Sequence, residues 1–181
     1  MRLPSYLFIL LLFLSNNLLA DKKDDVALAG DIVVSLLPAA AISKVVYTRD
    51  QRGALEFTAS LTTALATTFL LKYSIDAERP NGENNRSFPS GHSSTAFASA
   101  TFMQIRYGWE YGVPAYVAAT FVAWSRVYSD HHYSRDVIAG STLGVVSSYI
   151  FTTHYKEAVN ISPIVESGTY GLMLSSRFSS Y

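Results

Sequence analysis

Five apolar stretches of helical length, near residues 26–46, 54–73, 92–106, 113–126 and 136–153, fill most of this 181-residue chain, and nearly all the joints between them are short. Each stretch is rich in Ala, Leu, Val and Thr, and the joints carry the charges, glycines and prolines that end helices. The pattern predicts an all-α bundle. An apolar share of 49% with 13% aromatic residues is ample core material for one domain, and no internal repeat breaks the count.

The two ends differ from this pattern. Arg2 precedes an apolar run over residues 6–14, and Ser15-Asn16-Asn17-Leu18-Leu19-Ala20 leads into the charged stretch 21–25. A short apolar run closing on a small residue has the form of a secretory signal peptide more than of a full membrane span. Leu18, two positions before Ala20, is an imperfect cleavage residue, so an uncleaved anchor is the alternative. Residues 1–20 are therefore set apart as leader or anchor, 21–160 as the helical domain and 161–181 as an extended tail. Within that tail, Ile161–Val165 and Gly168–Leu174 read as two short strands about Glu166-Ser167-Gly168, a small hairpin.

Chemistry concentrates in three blocks: Lys72 with Arg79-Pro80, Pro89-Ser90-Gly91-His92, and Ser125-Arg126 followed by His132 and Asp136. A phosphate monoester spreads negative charge over its non-bridging oxygens in the transition state, so fixed donors aimed at those oxygens give the largest electrostatic benefit. Lys72, Arg79 and Arg126 suit that task, the arginines as forks and the lysine as a point charge. Ser90 and Gly91 read as a turn feeding a helix, where free backbone N–H groups bind anions and the Ser90 hydroxyl can donate. His132 and Asp136 stand four apart, on one face of a helical turn, so the carboxylate can take the Nδ1 proton and leave Nε2 as a lone pair for attack. Taken singly, each block also has a bland reading: solvated cations, an ordinary helix cap, an Asp/His staple. Their joint occurrence favours phosphate chemistry.

Written out, the blocks are Lys-x6-Arg-Pro, Pro-Ser-Gly-His and Ser-Arg-x5-His-x3-Asp. This resembles the signature of the type 2 phosphatidic acid phosphatase (PAP2) superfamily, shared with bacterial class A acid phosphatases and vanadium haloperoxidases. The signature covers Lys72 to Asp136, and only the residues between Pro80 and Pro89 depart from it, in being fewer than the family usually shows. A tight first loop follows from that. The resemblance implies a six-helix bundle, with the leader as its first helix, the first two blocks after the third and the last block after the fifth. It implies His92 as general acid and His132 as nucleophile, forming a phosphohistidine, with Asp136 orienting His132. The x5 spacing from Arg126 selects His132 over its neighbour His131.

Further classes are excluded or ranked below this one. Formal net charge is zero and no basic stripe is interleaved with aromatics, so nucleic acid is not an expected partner. Cysteine is absent, which removes disulfides and thiolate chemistry. His92, His131, His132, Asp130 and Asp136 include metal-ligand types, yet a metallophosphatase gathers more carboxylates and has less need of three cations on one phosphate, so no metal and no cofactor is expected. The resemblance and the leader together imply a phosphatase of a Gram-negative-type cell envelope, acting on phosphorylated lipids or isoprenoid pyrophosphates. A soluble periplasmic acid phosphatase for small phosphomonoesters is the alternative. A vanadium haloperoxidase and an inactive headgroup-binding protein rank lower.

Helix parity puts both catalytic loops on one side, the periplasmic one if the leader runs outward, and Arg49, Arg52, Arg106 and Lys156 fall on the other, as the positive-inside rule asks. Asp31 interrupts the first stretch, Glu56 lies near the start of the second, and 113–126 is short for a span of about 20 residues. A membrane bundle and a soluble bundle with Ala/Thr-rich packing faces both fit.

Overall fold

The computed structural model describes residues 23–155, together with the backbone of 160–166 and 169–175. The leader expected over residues 1–20, Lys156 and the centre of the tail's turn lie outside the described residues. Five helices are present among them: α1 (Lys23–Tyr47), α2 (Gln51–Ser74), α3 (Gly91–Tyr107), α4 (Trp109–Tyr128) and α5 (Ser134–Phe151). Each expected stretch is a helix, so the all-α reading holds. Strands β1 (Asn160–Glu166) and β2 (Thr169–Ser175) pair antiparallel, with Ile161 opposite Leu174 and Glu166 opposite Thr169, which is the expected hairpin.

The helix limits follow local chemistry. Asp50 caps α2 through Oδ1, which accepts from the Gly53 N–H at 2.8 Å. Gly108, at φ 93°, ends α3 and opens α4 in one residue. The start of the fourth helix shifts most, by four residues. That helix runs over 20 residues from Trp109, with Pro114 inside it, so the fourth stretch is not short of a bilayer-crossing length.

Helix α3 is the axis of the bundle and packs on all four others. Its core is made of small side chains: Ala96, Ala98, Ala100, Ser94 and Ser99 are fully buried, with Phe102 as the one large plug among them. The closest seam lies against α5. Gly140 abuts the Ser90 backbone, Gly144 abuts Ser94 and Ala98, and Ser148 Oγ donates to the Ala98 carbonyl at 2.8 Å. Small residues let these backbones approach, and the approach sets the start of α3 beside the start of α5.

Large apolar side chains point the other way. Leu28, Leu36, Val46, Leu55, Leu70, Ile138 and Ile150 are each more than half exposed. Helices α1 and α2 are long and apolar enough to cross a membrane.

A polar clamp closes the end away from the joints 75–90 and 129–133. The Arg106 guanidinium forks onto Asp50, with Nη2 to Oδ1 at 2.6 Å and Nε to Oδ2 at 2.7 Å. Its Nη1 reaches Glu56 Oε2 at 3.3 Å and the Thr153 carbonyl at 2.9 Å, and Glu56 in turn accepts from the Thr153 N–H at 3.0 Å. Glu56 therefore belongs to a buried network, not to an exposed flaw in an apolar helix.

Candidate active site

The three blocks meet at one end of the bundle. The N–H of Ser90 donates to the Asp136 carbonyl at 2.9 Å, and the N–H of Asn81 donates to the Asp130 carbonyl at 3.1 Å. These bonds tie the joint 75–90 to the joint 129–133. The first loop is tight, as its length implies: Arg79 N–H bonds the Asn84 carbonyl at 3.0 Å and Ser87 N–H bonds the Ala77 carbonyl at 2.9 Å, returning the chain to α3.

Ser90 is the N-cap of α3. Its fully buried hydroxyl oxygen accepts from Ser93 Oγ at 3.1 Å and from Ser93 N–H at 3.4 Å, and neither of these bonds uses its own O–H. A side chain at Gly91 would meet no protein atom closer than Thr68 Cγ2 at 3.8 Å. Packing does not demand glycine there.

His132 is 3% exposed, and its neighbours are arranged differently from a direct Asp/His pair. Nδ1 stands 3.7 Å from Asp136 Oδ2, beyond hydrogen-bond range. Ser87 Oγ stands 3.5 Å from the same nitrogen and donates to Asp136 Oδ2 at 2.5 Å. That oxygen also accepts from the Tyr133 N–H at 3.0 Å, as a helix N-terminal carboxylate does. Burial, then the charges of Arg79 and Lys72, push the His132 imidazole down to about 3 against the pull of Asp136. It is neutral at physiological pH, with a lone pair available.

The three cations are brought to this end, each already partly engaged. Lys72 Nζ donates to the Arg86 carbonyl at 2.7 Å. Arg79 Nε donates to Asn84 Oδ1 at 3.1 Å, and its Nη1 lies 3.6 Å from Glu83. Arg126 is 3% exposed, with Nε on Ser125 Oγ at 3.2 Å, Nη1 on Asp31 Oδ1 at 2.7 Å and Nη2 on the Ala27 carbonyl. A guanidinium has five N–H donors, so two remain. Arg79 is the electrostatic centre of the set, since its charge acts on Lys72, on Arg126 and on His132.

His92 lies in the first turn of α3, its Nε2 2.9 Å from Asp31 Oδ1. His131, the neighbour set aside by spacing, turns to Ser129, with Nδ1 2.8 Å from Oγ. A cavity of about 560 Å³ adjoins the site, lined by Ile75, Phe88 and Tyr133 with Asp76, Glu78 and Arg135 at its edges.

Ser87 and Asp31 were not among the expected site residues. Ser87 gives no sequence signal, being one of several loop serines. Asp31 does give one, because a carboxylate inside an apolar stretch asks for a partner.

The profile of the PAP2 superfamily matches residues 81–159. That segment, somewhat under half of the chain, is what resembles the PAP2 superfamily. Over 79 residues it is 40% identical to the lipid A 1-phosphatase of Porphyromonas gingivalis, across 41% of this chain and 18% of that protein. Over 80 residues it is 38% identical to the lipid A 4'-phosphatase of Helicobacter pylori, across 44% of this chain and 40% of that one. The match thus spans less than half of either relative. In fold, the chain is similar to Aquifex aeolicus LpxE, with a TM-score of 0.59 at 20% identity, over 83% of this chain and 94% of that one. The PAP2 profile begins after Lys72 and Arg79, so their membership of the site rests on the geometry above.

Proposed function

We propose that this protein is a metal-independent phosphatase for a phosphorylated lipid, working through a phosphohistidine on His132. The observation that carries the reading is the Ser90 N–H bond to the Asp136 carbonyl, which sets the anion-binding start of α3 against the turn that holds His132. In this reading the phosphoryl group rests on the N–H groups at Gly91 and His92 and on the free donors of Lys72, Arg79 and Arg126. His132, neutral through burial, attacks phosphorus with Nε2 while Ser87 and Asp136 steady the opposite side of the ring. His92 gives its proton to the leaving oxygen, and water then cleaves the phosphorus–nitrogen bond. The positive charge that a metal ion would otherwise supply comes from the three fixed cations.

Two things favour a lipid over a small soluble ester. The relatives that match are named for lipid A, and large apolar side chains face outward while Ala and Ser fill the interior, as suits a bundle solvated by acyl chains. With Arg49, Arg52 and Arg106 at the far end, the site faces the side away from the cytoplasm.

The test is phosphate release by detergent-purified protein from a panel of phosphatidate, phosphatidylglycerol phosphate, undecaprenyl pyrophosphate, lipid A and an aryl phosphate. Turnover should persist in EDTA and be blocked by orthovanadate. His132→Ala should form no alkali-stable phosphoenzyme. Turnover restored only by a divalent ion, or a phosphoenzyme that survives loss of His132, refutes the mechanism.

A further inference from the structure

One carboxylate oxygen from a distant helix joins the two halves of the phosphate site. Asp31 Oδ1 lies 2.7 Å from Arg126 Nη1 and 2.9 Å from His92 Nε2. We propose that Asp31 is a positioning residue of this site: it clamps one edge of the Arg126 fork and holds the His92 imidazole with its proton on Nε2. The inference rests on the phosphatase reading above, and adds α1 to the machinery.

The donor geometry fixes the proton. An ionised carboxylate only accepts, so a ring nitrogen at 2.9 Å must carry hydrogen. A general acid has to hold a proton before the leaving oxygen needs it, and the surroundings work against that. Burial, the Arg126 charge from α4 and His131 from the following joint all push the His92 imidazole below its ordinary range, and Asp31 is the group that acts against them. With Nε2–H held by Asp31, the proton given up is the one on Nδ1 of the charged ring: the Nδ1–H bond breaks, the leaving oxygen takes the proton, the electron pair stays on Nδ1, and the neutral ring keeps its Nε2–H on Asp31.

The placement of Asp31 is built, not incidental. Gly30 leaves no room for a side chain against Ser125 Oγ and the Arg126 guanidinium, so α1 lies directly on the end of α4. The Ala27 carbonyl accepts from Arg126 Nη2, and Lys23 pairs with Asp130 beyond it. Three successive turns of α1 thus touch the end of α4 and the joint that follows it. With one edge of Arg126 held by Asp31 and Ala27, the remaining donors present a fixed direction to an incoming oxyanion, which is the condition for preorganised binding.

The experiment compares wild type with Asp31→Asn and Asp31→Ser by two readouts. The first is the titration of His92 followed by NMR in imidazole-labelled protein, assigned with His92→Gln. Its midpoint should move to lower pH in both variants. The second is turnover of an alkyl phosphate, a poor leaving group, against an aryl phosphate, a good one. The alkyl substrate should lose about tenfold more, within the roughly 10²–10⁴-fold scale of general acid catalysis, and Asp31→Glu should recover part of it. An unchanged His92 midpoint, or equal losses on both substrates, overturns the proposal. Should wild type hydrolyse nothing while the midpoint still moves, the phosphatase reading fails and the Asp31–His92 pair stands.

Discussion

Gly140→Ala separates the role of the α3–α5 seam in catalysis from its role in stability. A methyl group on residue 140 would fall closer than 3.0 Å to the Ser90 carbonyl oxygen, 3.1 Å from its carbon and 3.3 Å from its nitrogen. These are backbone atoms of the proposed phosphate turn and cannot rotate away, so the turn must move by about 1 Å, and the Ser90 to Asp136 bond stretches with it. Overpacking of this kind costs about 1–3 kcal/mol, and replacing a helical glycine returns roughly 0.5–1, so the net loss of stability is modest. A displacement of about 1 Å at a positioned reactant is worth roughly 10²-fold in rate, or about 2.7 kcal/mol on the barrier. Gly144→Ala is the matched control, because its methyl group would strike Ser94 and Ala98, 2.6 Å from the Ala98 nitrogen, one turn further from the site. Thermal unfolding in detergent should shift similarly for the two variants, whereas turnover and vanadate inhibition should collapse only for Gly140→Ala. Equal activity losses in both, or wild-type turnover in Gly140→Ala, refutes the idea that this seam sets the phosphate turn.

Attack needs neutral His132 and leaving-group protonation needs charged His92, so kcat/KM should be bell-shaped with its maximum on the acid side: it rises as His132 loses its proton near pH 3 and falls as His92, held below its ordinary 6.5, loses its own. A maximum above pH 8 contradicts this. Ser87→Ala removes a buried donor from Asp136 Oδ2, which costs about 1–3 kcal/mol and should lower kcat by roughly tenfold or more with KM unchanged; an unaltered kcat removes Ser87 from the site. Arg106→Met leaves the Asp50 and Glu56 carboxylates without their buried partner, so unfolding free energy should fall by about 3–5 kcal/mol while KM for the lipid phosphate holds. A variant of wild-type thermal stability shows that the clamp carries no load.

The helices were legible because their signal is local: apolar runs of the right length, ended by Asp50, Gly108 and the polar joints, leave little else for the backbone to do. The start of α4 lies four residues before the expected 113, at Trp109. The site blocks were legible because residues three to ten apart share a turn or a loop, so their spacing carries geometry. Ser87 and Asp31 had no such spacing. Ser87 reaches Asp136 across 49 positions and Asp31 reaches Arg126 across 95, both through helix packing that a linear pattern does not encode. Yet the two cases differ in kind. A serine can satisfy itself anywhere, whereas a carboxylate in an apolar helix is costly unless paired, so its cation must lie where that helix packs. Of the three site cations, Lys72 and Arg126 each lie in the last turn of a helix, so charge and helix position leave two candidates, and the packing of Gly30 on Ser125 and Arg126 decides between them. The sequence thus says that Asp31 needs a cation, and the packing of α1 on the end of α4 says that the cation is Arg126, which makes an interrupted apolar stretch a productive place to look for a positioning residue.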